Sequence, residues 1–174
     1  MISSLWTERN QNREGVAGAA TRILIYAAAY VLIFRADDPR WGALGQRFLP
    51  HVPWVQWLGA VLTGAGVAFA IWARIHIGRY WSSTVALKES HKLVRSGPYA
   101  RIRHPIYTGI LAAMAGTSIA VGRYAALLGL AVIALAFARK ARKEEALLAG
   151  EFGPGFDQHR RRTGFFLPRI FGEP

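Results

Sequence analysis

Two short stretches of this chain carry the side chains able to do chemistry. The first is "RHPIYTG", Arg103 to Gly109, and the second is "RKARKEEALLAGEFG", Arg139 to Gly153. Pro105 suits the first position of a helix, where a missing N–H costs nothing. It also pushes His104 out of the helical region into an extended or capping conformation. Arg103 and His104 therefore stand at a helix N-terminus, where free N–H groups and the positive end of the dipole favour an anion. One turn on, Gly109 allows close approach of backbone or ligand. In the second stretch Lys140 and Glu144 are i, i+4 neighbours, and Arg142 and Glu145 are i, i+3 neighbours. A solvated ion-pair helix would look the same. Position argues for more: the glutamates lie just past an apolar run, on the helix that follows the one begun at His104–Pro105. Two adjacent helices would then present an anion-binding end and a carboxylate pair to one shared cavity.

The elements that must position these residues are apolar. Of 174 residues, 52% are hydrophobic, high for a soluble protein of this size. Four apolar segments stand out: Val16 to Phe34, Trp54 to Gly78, Ile106 to Val121 and Tyr124 to Ala138. The pattern predicts an all-α polytopic membrane protein with about four transmembrane helices. In the second segment Gly59, Gly64 and Gly66 would let another helix come close. The third and fourth segments are each shorter than the roughly 20 residues that span a bilayer. They read as two spanning helices whose inner ends extend past the apolar run, rather than as one re-entrant hairpin. The fourth has no breaker from Ala131 to Ala149 and should project well beyond the membrane before Gly150. Near the inner end of the second segment Arg74 and His76 are placed to snorkel.

The net charge of +12 is distributed as a membrane protein distributes it. Residues 79–104 hold six Lys/Arg against one Glu, and residues 139–174 hold eight, while the Arg35–His51 loop has three beside Asp37 and Asp38. By the positive-inside rule the second loop and the C-terminal region face the cytoplasm. Interspersion between apolar segments fits anionic lipid headgroups rather than nucleic acid. Cysteine is absent, which removes disulfides, thiolate metal sites and cysteine nucleophiles. The histidines show no metal-ligand spacing, so no metal site is expected, and no Gly-rich phosphate loop is present.

"HKLVRSGPYARIRHPIYTG" (91–109), followed by "KEEALLAGEFG" (143–153), resembles the isoprenylcysteine carboxyl methyltransferase family and its relatives, the phospholipid N-methyltransferases. The likeness covers roughly Trp81 to Phe171; the first two helices match only in hydrophobic character. It implies a single integral-membrane domain over residues 1–174, with two transmembrane helices in 16–78 and a cofactor-binding and catalytic region in 79–174. It also implies S-adenosyl-L-methionine as cofactor, enclosed by the loop before the third helix and the polar helix after the fourth. Carried over, His91, Lys92, Leu93 and Val94 would line the adenosine pocket, with Tyr99, His104, Pro105, Ile106 and Tyr107 completing it. A glutamate of the Glu144–Glu145 pair would contact the cofactor; counting back from Gly153 favours Glu144, counting forward from Gly109 favours Glu145. The methionine carboxylate would sit against Arg103.

One departure bears on the acceptor. Carboxyl-methylating members hold the substrate carboxylate with an arginine one turn before the glutamate, where this chain has Lys140 or Ala141, flanked by Arg139 and Arg142. A lysine pairs with a carboxylate without arginine's bidentate fork. The expected function is methyl transfer to a lipophilic acceptor entering from the bilayer, in the inner or cytoplasmic membrane if bacterial. An amine acceptor needs a base, Glu144 or Glu145; a carboxylate needs a cation, Lys140 or Arg142. The competing readings are a non-catalytic membrane protein that binds anionic lipids or a partner through its basic loops, and a reductase of the sterol-reductase type. Oligomeric state is open.

Overall fold

The computed structural model describes residues 16–78 and 93–169. Five α-helices carry the fold: α1 (Val16–Phe34), α2 (Pro53–Ile77), α3 (Pro105–Val121), α4 (Tyr124–Phe152) and α5 (Pro154–Arg162). Two 3-10 turns, Pro39–Gly45 and Gly97–Ala100, stand in the connections, and the described residues form no strand beyond isolated bridges. The four apolar segments are therefore the cores of α1 to α4.

Two helices, α2 and α4, are long and apolar enough to cross a membrane, and α1 and α3 are shorter apolar helices. Their outward faces are what a bilayer requires and water would penalise. On α2 the side chains of Trp57, Leu58, Val61, Val67, Ile71 and Ile75 are exposed. Exposed Trp54 and Trp72 are separated by about 27 Å of helix, close to the ~30 Å thickness of the hydrocarbon core. They mark the two interfaces as aromatic belts do.

Within the bundle, association rests on small residues and hydrogen bonds, because apolar side chains gain little by leaving lipid for protein. Helices α2 and α3 run antiparallel, with glycines facing backbone. A Cβ added at Gly59 would lie 2.6 Å from Gly116 O, and one at Gly116 2.6 Å from Gly59 O. Seven residues along each helix the contact repeats: a Cβ at Gly66 would lie 2.6 Å from Gly109 O, and one at Gly109 2.7 Å from Gly66 O. Gly109 thus serves backbone approach. Gly64 corrects the sequence reading, for a Cβ there would meet nothing within 4 Å. Between the two glycine pairs Thr63 Oγ1 donates to Ala113 O at 3.1 Å across the interface. Helix α4 packs on α1, with Gly129 against Ala29 and Ile33.

The ends of the bundle differ. At one end Gly122, left-handed at φ 67°, turns α3 into α4, and the 46–49 loop is hydrogen-bonded to this turn (Phe48 N to Gly122 O, 2.9 Å; Tyr124 N to Gln46 O, 3.1 Å). At the other end α4 runs on without a break past its apolar stretch, which ends at Ala138, to Phe152. Extension past the apolar run therefore belongs to α4 alone. α3 is 17 residues long and begins at Pro105 itself. Gly153 at φ 46° and Pro154 then redirect the chain into α5.

Candidate active site

The leading end of α3 is built as Pro105 dictates. Pro105 is fully buried at the first helical position, and His104 takes the N-cap place at φ −122°, ψ 59° without a side-chain cap hydrogen bond. Freed from capping, the imidazole turns toward α4. Its Nε2 lies 3.2 Å from Glu145 Oε1 and its Nδ1 3.7 Å from Glu144 Oε2. Arg103 Nε donates to Glu145 Oε1 at 2.5 Å, and the Tyr107 hydroxyl donates to Glu144 Oε1 at 2.8 Å. Residues about forty positions apart in sequence thus meet as one polar cluster.

The two glutamates have different surroundings. Glu145 is largely enclosed and takes both Arg103 and His104 on one oxygen. Burial works against its ionisation, but the hydrogen bonds from His104 and Arg103 outweigh it and hold the carboxyl below its ordinary value. Glu144 is more open and faces Tyr107, with Lys140 Nζ at 3.9 Å. Lys140 also lies over the Tyr107 ring, 5.5 Å from its centroid, an arrangement that stabilises a cation. The expected Arg142–Glu145 pair does not form. Arg142 is on the exposed side of α4, and Glu145 is taken by the enclosed guanidinium of Arg103, which needs a counter-charge more than a solvated arginine does.

Aromatic faces continue the site into the bundle. His104 and Tyr107 are stacked with centroids 5.7 Å apart, and Tyr107 stacks on Phe137 at 4.8 Å. Phe137 in turn meets Tyr26 of α1 edge-on at 6.0 Å. The polar cluster is therefore backed directly by the apolar packing of α1, α3 and α4.

A third wall comes from residues the sequence reading did not place in the site. After α5 the chain returns over the start of α3 as an arm, Thr163 to Phe166. Gly164 N donates to Arg101 O at 2.9 Å, Arg103 N to Gly164 O at 2.9 Å and His104 N to Phe165 O at 3.3 Å. Thr108 Oγ1 donates to Phe166 O at 2.6 Å. The Phe165 ring meets His104 edge-on at 5.1 Å, and the Phe166 ring meets Tyr107 at 6.4 Å. The available signal was "TGFFL" directly after three arginines, an apolar return whose destination no local period reveals. His159 of α5 is buried beside this wall. Burial, with Arg95 and Arg103 nearby, pushes its imidazole down to about 4.

Of the other expected site residues, Leu93 and Val94 are half-buried, as is Ile106, and Tyr99 is buried. His91 and Lys92 lie outside the described residues. The Tyr99 ring stacks on His76, and its hydroxyl, held above its ordinary value by burial, reaches Ala73 O at 3.5 Å. His76, exposed near the end of α2, has its Nε2 2.9 Å from Ser96 Oγ, and Gly97, at φ 56°, packs against its ring. This contact fixes the Gly97–Ala100 turn to the end of α2.

Residues 57–150 match the isoprenylcysteine carboxyl methyltransferase (ICMT) family. The chain belongs to this family. Among its relatives are the nickel-cobalt-cadmium resistance protein NccN of Alcaligenes xylosoxydans xylosoxydans, 37% identical over 69% of this chain and 56% of that protein, and the protein-S-isoprenylcysteine O-methyltransferase of Schizosaccharomyces pombe, 34% identical over 56% and 43%. The cobalt-zinc-cadmium resistance protein CzcN of Cupriavidus metallidurans is 38% identical over 67% of this chain and 52% of that protein. The chain spans about half the length of these curated relatives. Its fold is that of a eukaryotic intramembrane Ras methyltransferase, ICMT, with a TM-score of 0.67 and 22% identity over 90% of this chain and 55% of the other. As an ICMT-family member it is an all-α integral membrane protein, and the cluster around Glu144 and Glu145 falls inside the matched region.

Proposed function

We propose that this chain is an S-adenosyl-L-methionine-dependent methyltransferase whose acceptor is a lipophilic carboxylic acid reaching the site from the bilayer, with the polar end of the bundle in the cytoplasm. The observation that carries this reading is the joining of Arg103, His104 and Tyr107, at the leading end of α3, to Glu144–Glu145 of α4, in a chain of the ICMT family.

The residues present fit such a cofactor. Glu144 is a partly open carboxylate beside the stacked His104, Tyr107 and Phe137 rings, and carboxylates and aromatic faces both favour a cationic sulfonium. Leu93, Val94, Tyr99, Pro105 and Ile106, with His91 and Lys92, would hold the adenosine portion. When bound, the cofactor supplies an electrophilic methyl group. The remaining tasks belong to the protein: holding the acceptor in line and keeping water away. Lys140, 3.9 Å from Glu144 and over the Tyr107 ring, would hold an acceptor carboxylate, whereas Arg142 lies on the exposed side of α4. The Schizosaccharomyces pombe relative is a protein-S-isoprenylcysteine O-methyltransferase, which supports an acidic acceptor over an amine.

The test is S-adenosylhomocysteine binding to the detergent-purified chain by calorimetry, with Glu144→Ala and His104→Ala alongside, followed by methyl transfer to a farnesylated thiol acid and to an ethanolamine phospholipid. Binding by the wild type, weakened in both variants, and methylation of the acid alone are expected. Absence of binding by a folded wild type sinks the reading, and methylation of the amine lipid alone replaces the acceptor class.

A further inference from the structure

The guanidinium of Arg103 is engaged on two sides at once. Its Nε holds Glu145 Oε1 at 2.5 Å, while its Nη1 donates to the carbonyl of Arg160 at 3.1 Å, to the carbonyl of Thr163 and to Thr163 Oγ1 at 3.5 Å. The Phe165 ring covers it, with the guanidinium carbon 5.6 Å from the ring centroid. Its backbone N–H is bound to Gly164 O. The side chain is 12% exposed. These partners come from α4, from the end of α5 and from the arm, three segments that meet at this one side chain just before α3.

We propose that Arg103 is a positioning residue: through one guanidinium it fixes the Glu145 carboxylate and the Thr163–Phe166 arm in a single arrangement, so that Phe165 and Phe166 close the site over His104 and Tyr107. The expectation that Arg103 meets the anionic end of the cofactor gives way to this role, because its Nε and Nη1 donors are directed at Glu145 and at backbone carbonyls. The planar fork is what permits both sets of bonds; an ammonium is a single point of charge. Helix α4 and the arm are thereby coupled, and a change at Glu145 is felt at Phe165 and Phe166. As a role within the cofactor site, the proposal rests on the methyltransferase reading.

The test has two arms on the full chain in detergent. The sequence contains no cysteine, so Leu167→Cys, at a side chain 75% exposed, gives a single spin-label site next to the arm without touching the cluster. In the Arg103→Ala and Arg103→Lys backgrounds the label is expected to become more mobile than in the wild-type background, with Arg103→Lys guarding against a variant that fails to fold. Unchanged mobility in a folded Arg103→Lys overturns the proposal. The second arm compares S-adenosylhomocysteine with 5′-methylthioadenosine, which lacks the amino-acid carboxylate. Arg103→Lys, Glu145→Gln and the double variant are expected to weaken both ligands alike, by about tenfold, with no further loss in the double variant. Loss of S-adenosylhomocysteine binding with 5′-methylthioadenosine unaffected would make Arg103 a direct ligand contact and overturn the proposal. Should the wild type bind neither ligand, the methyltransferase reading falls, and label mobility still decides the positioning role.

Discussion

The Tyr107 hydroxyl donates to Glu144 Oε1 at 2.8 Å, across from the oxygen that faces His104 Nδ1 at 3.7 Å. The more open of the two glutamates is thus oriented from α3 by one phenol, on a ring sandwiched between His104 and Phe137. Tyr107→Phe keeps the sandwich and removes only the donor. A hydrogen bond to a charged group contributes ~1.5–3 kcal/mol, so methyl transfer should fall by about ten- to a hundredfold. The same bond supports the fold, so the melting temperature should fall by several degrees as well. Parallel turnover and thermal-unfolding measurements check both halves, and an unchanged rate would remove Tyr107 from the site.

Neighbouring substitutions at the glutamates should separate function from stability. Glu145→Gln leaves the enclosed Arg103 without its counter-charge and should cost about 2–4 kcal/mol of stability. Glu144→Gln alters a half-open carboxylate and should cost under ~1 kcal/mol while still impairing methyl transfer. Chemical unfolding in mixed micelles, set beside an activity assay, reads the difference. Equal destabilisation by the two would show that the surroundings of the pair are not as asymmetric as described.

The α2–α3 contact gives a third expectation. A Cβ at Gly66 would lie 2.4 Å from Ala113 N, and one at Gly109 2.6 Å from Ala70 N. Gly66→Ala and Gly109→Ala should each destabilise by about 1–3 kcal/mol through overpacking. Gly64→Ala, facing open space, is the control and should stay within ~0.5 kcal/mol of the wild type or exceed it. Circular dichroism melts in detergent rank the three.

Acid should loosen the polar end through His159. Its folded-state pKa of about 4 lies below the ordinary value of 6.5, so between those values the unfolded chain binds more protons than the folded one. Its contribution to stability is full above pH 6.5 and is lost as pH falls toward 4. The melting temperature should drop between pH 7 and pH 5, and His159→Gln should flatten that part of the slope. The groups that share its surroundings, Arg95, Arg103 and Glu145, are unchanged by this substitution. An identical slope in the variant would assign the effect elsewhere.

Much of this architecture could be read from local pattern. Apolar run length gave the cores of α1 to α4, and Pro105 gave the start of α3 to the residue, because both are short-range effects. The glycines of α2 were legible only in part. Gly59 and Gly66 are seven residues apart and share a face, while Gly64 is turned about 140° from Gly59, a distinction composition does not carry. Pairing at Glu145 was misread because i, i+3 spacing offers Arg142, yet desolvation favours the enclosed Arg103. The arm could be read as an apolar return but not where it lands, since its bonds to residues 101–108 join positions about sixty apart with no period between them. The family resemblance singled out Tyr107 and Glu144 separately; that they touch could not be read from it.

The backbone contact between α2 and α3 also governs which changes of sequence this protein can absorb. Its two glycine pairs stand seven residues apart on both helices, close to two full turns. Exchanging one lipid-facing side chain for another leaves that spacing alone. Adding or deleting a single residue between Gly59 and Gly66, or between Gly109 and Gly116, rotates everything beyond it by about 100° and drives a side chain into the facing backbone. The lipid-facing positions of the membrane half are therefore permissive to substitution, while its glycine pairs tolerate neither replacement nor a change in their spacing, and the register of Pro105, with the whole cluster that follows from it, is held by helix length together with those glycines.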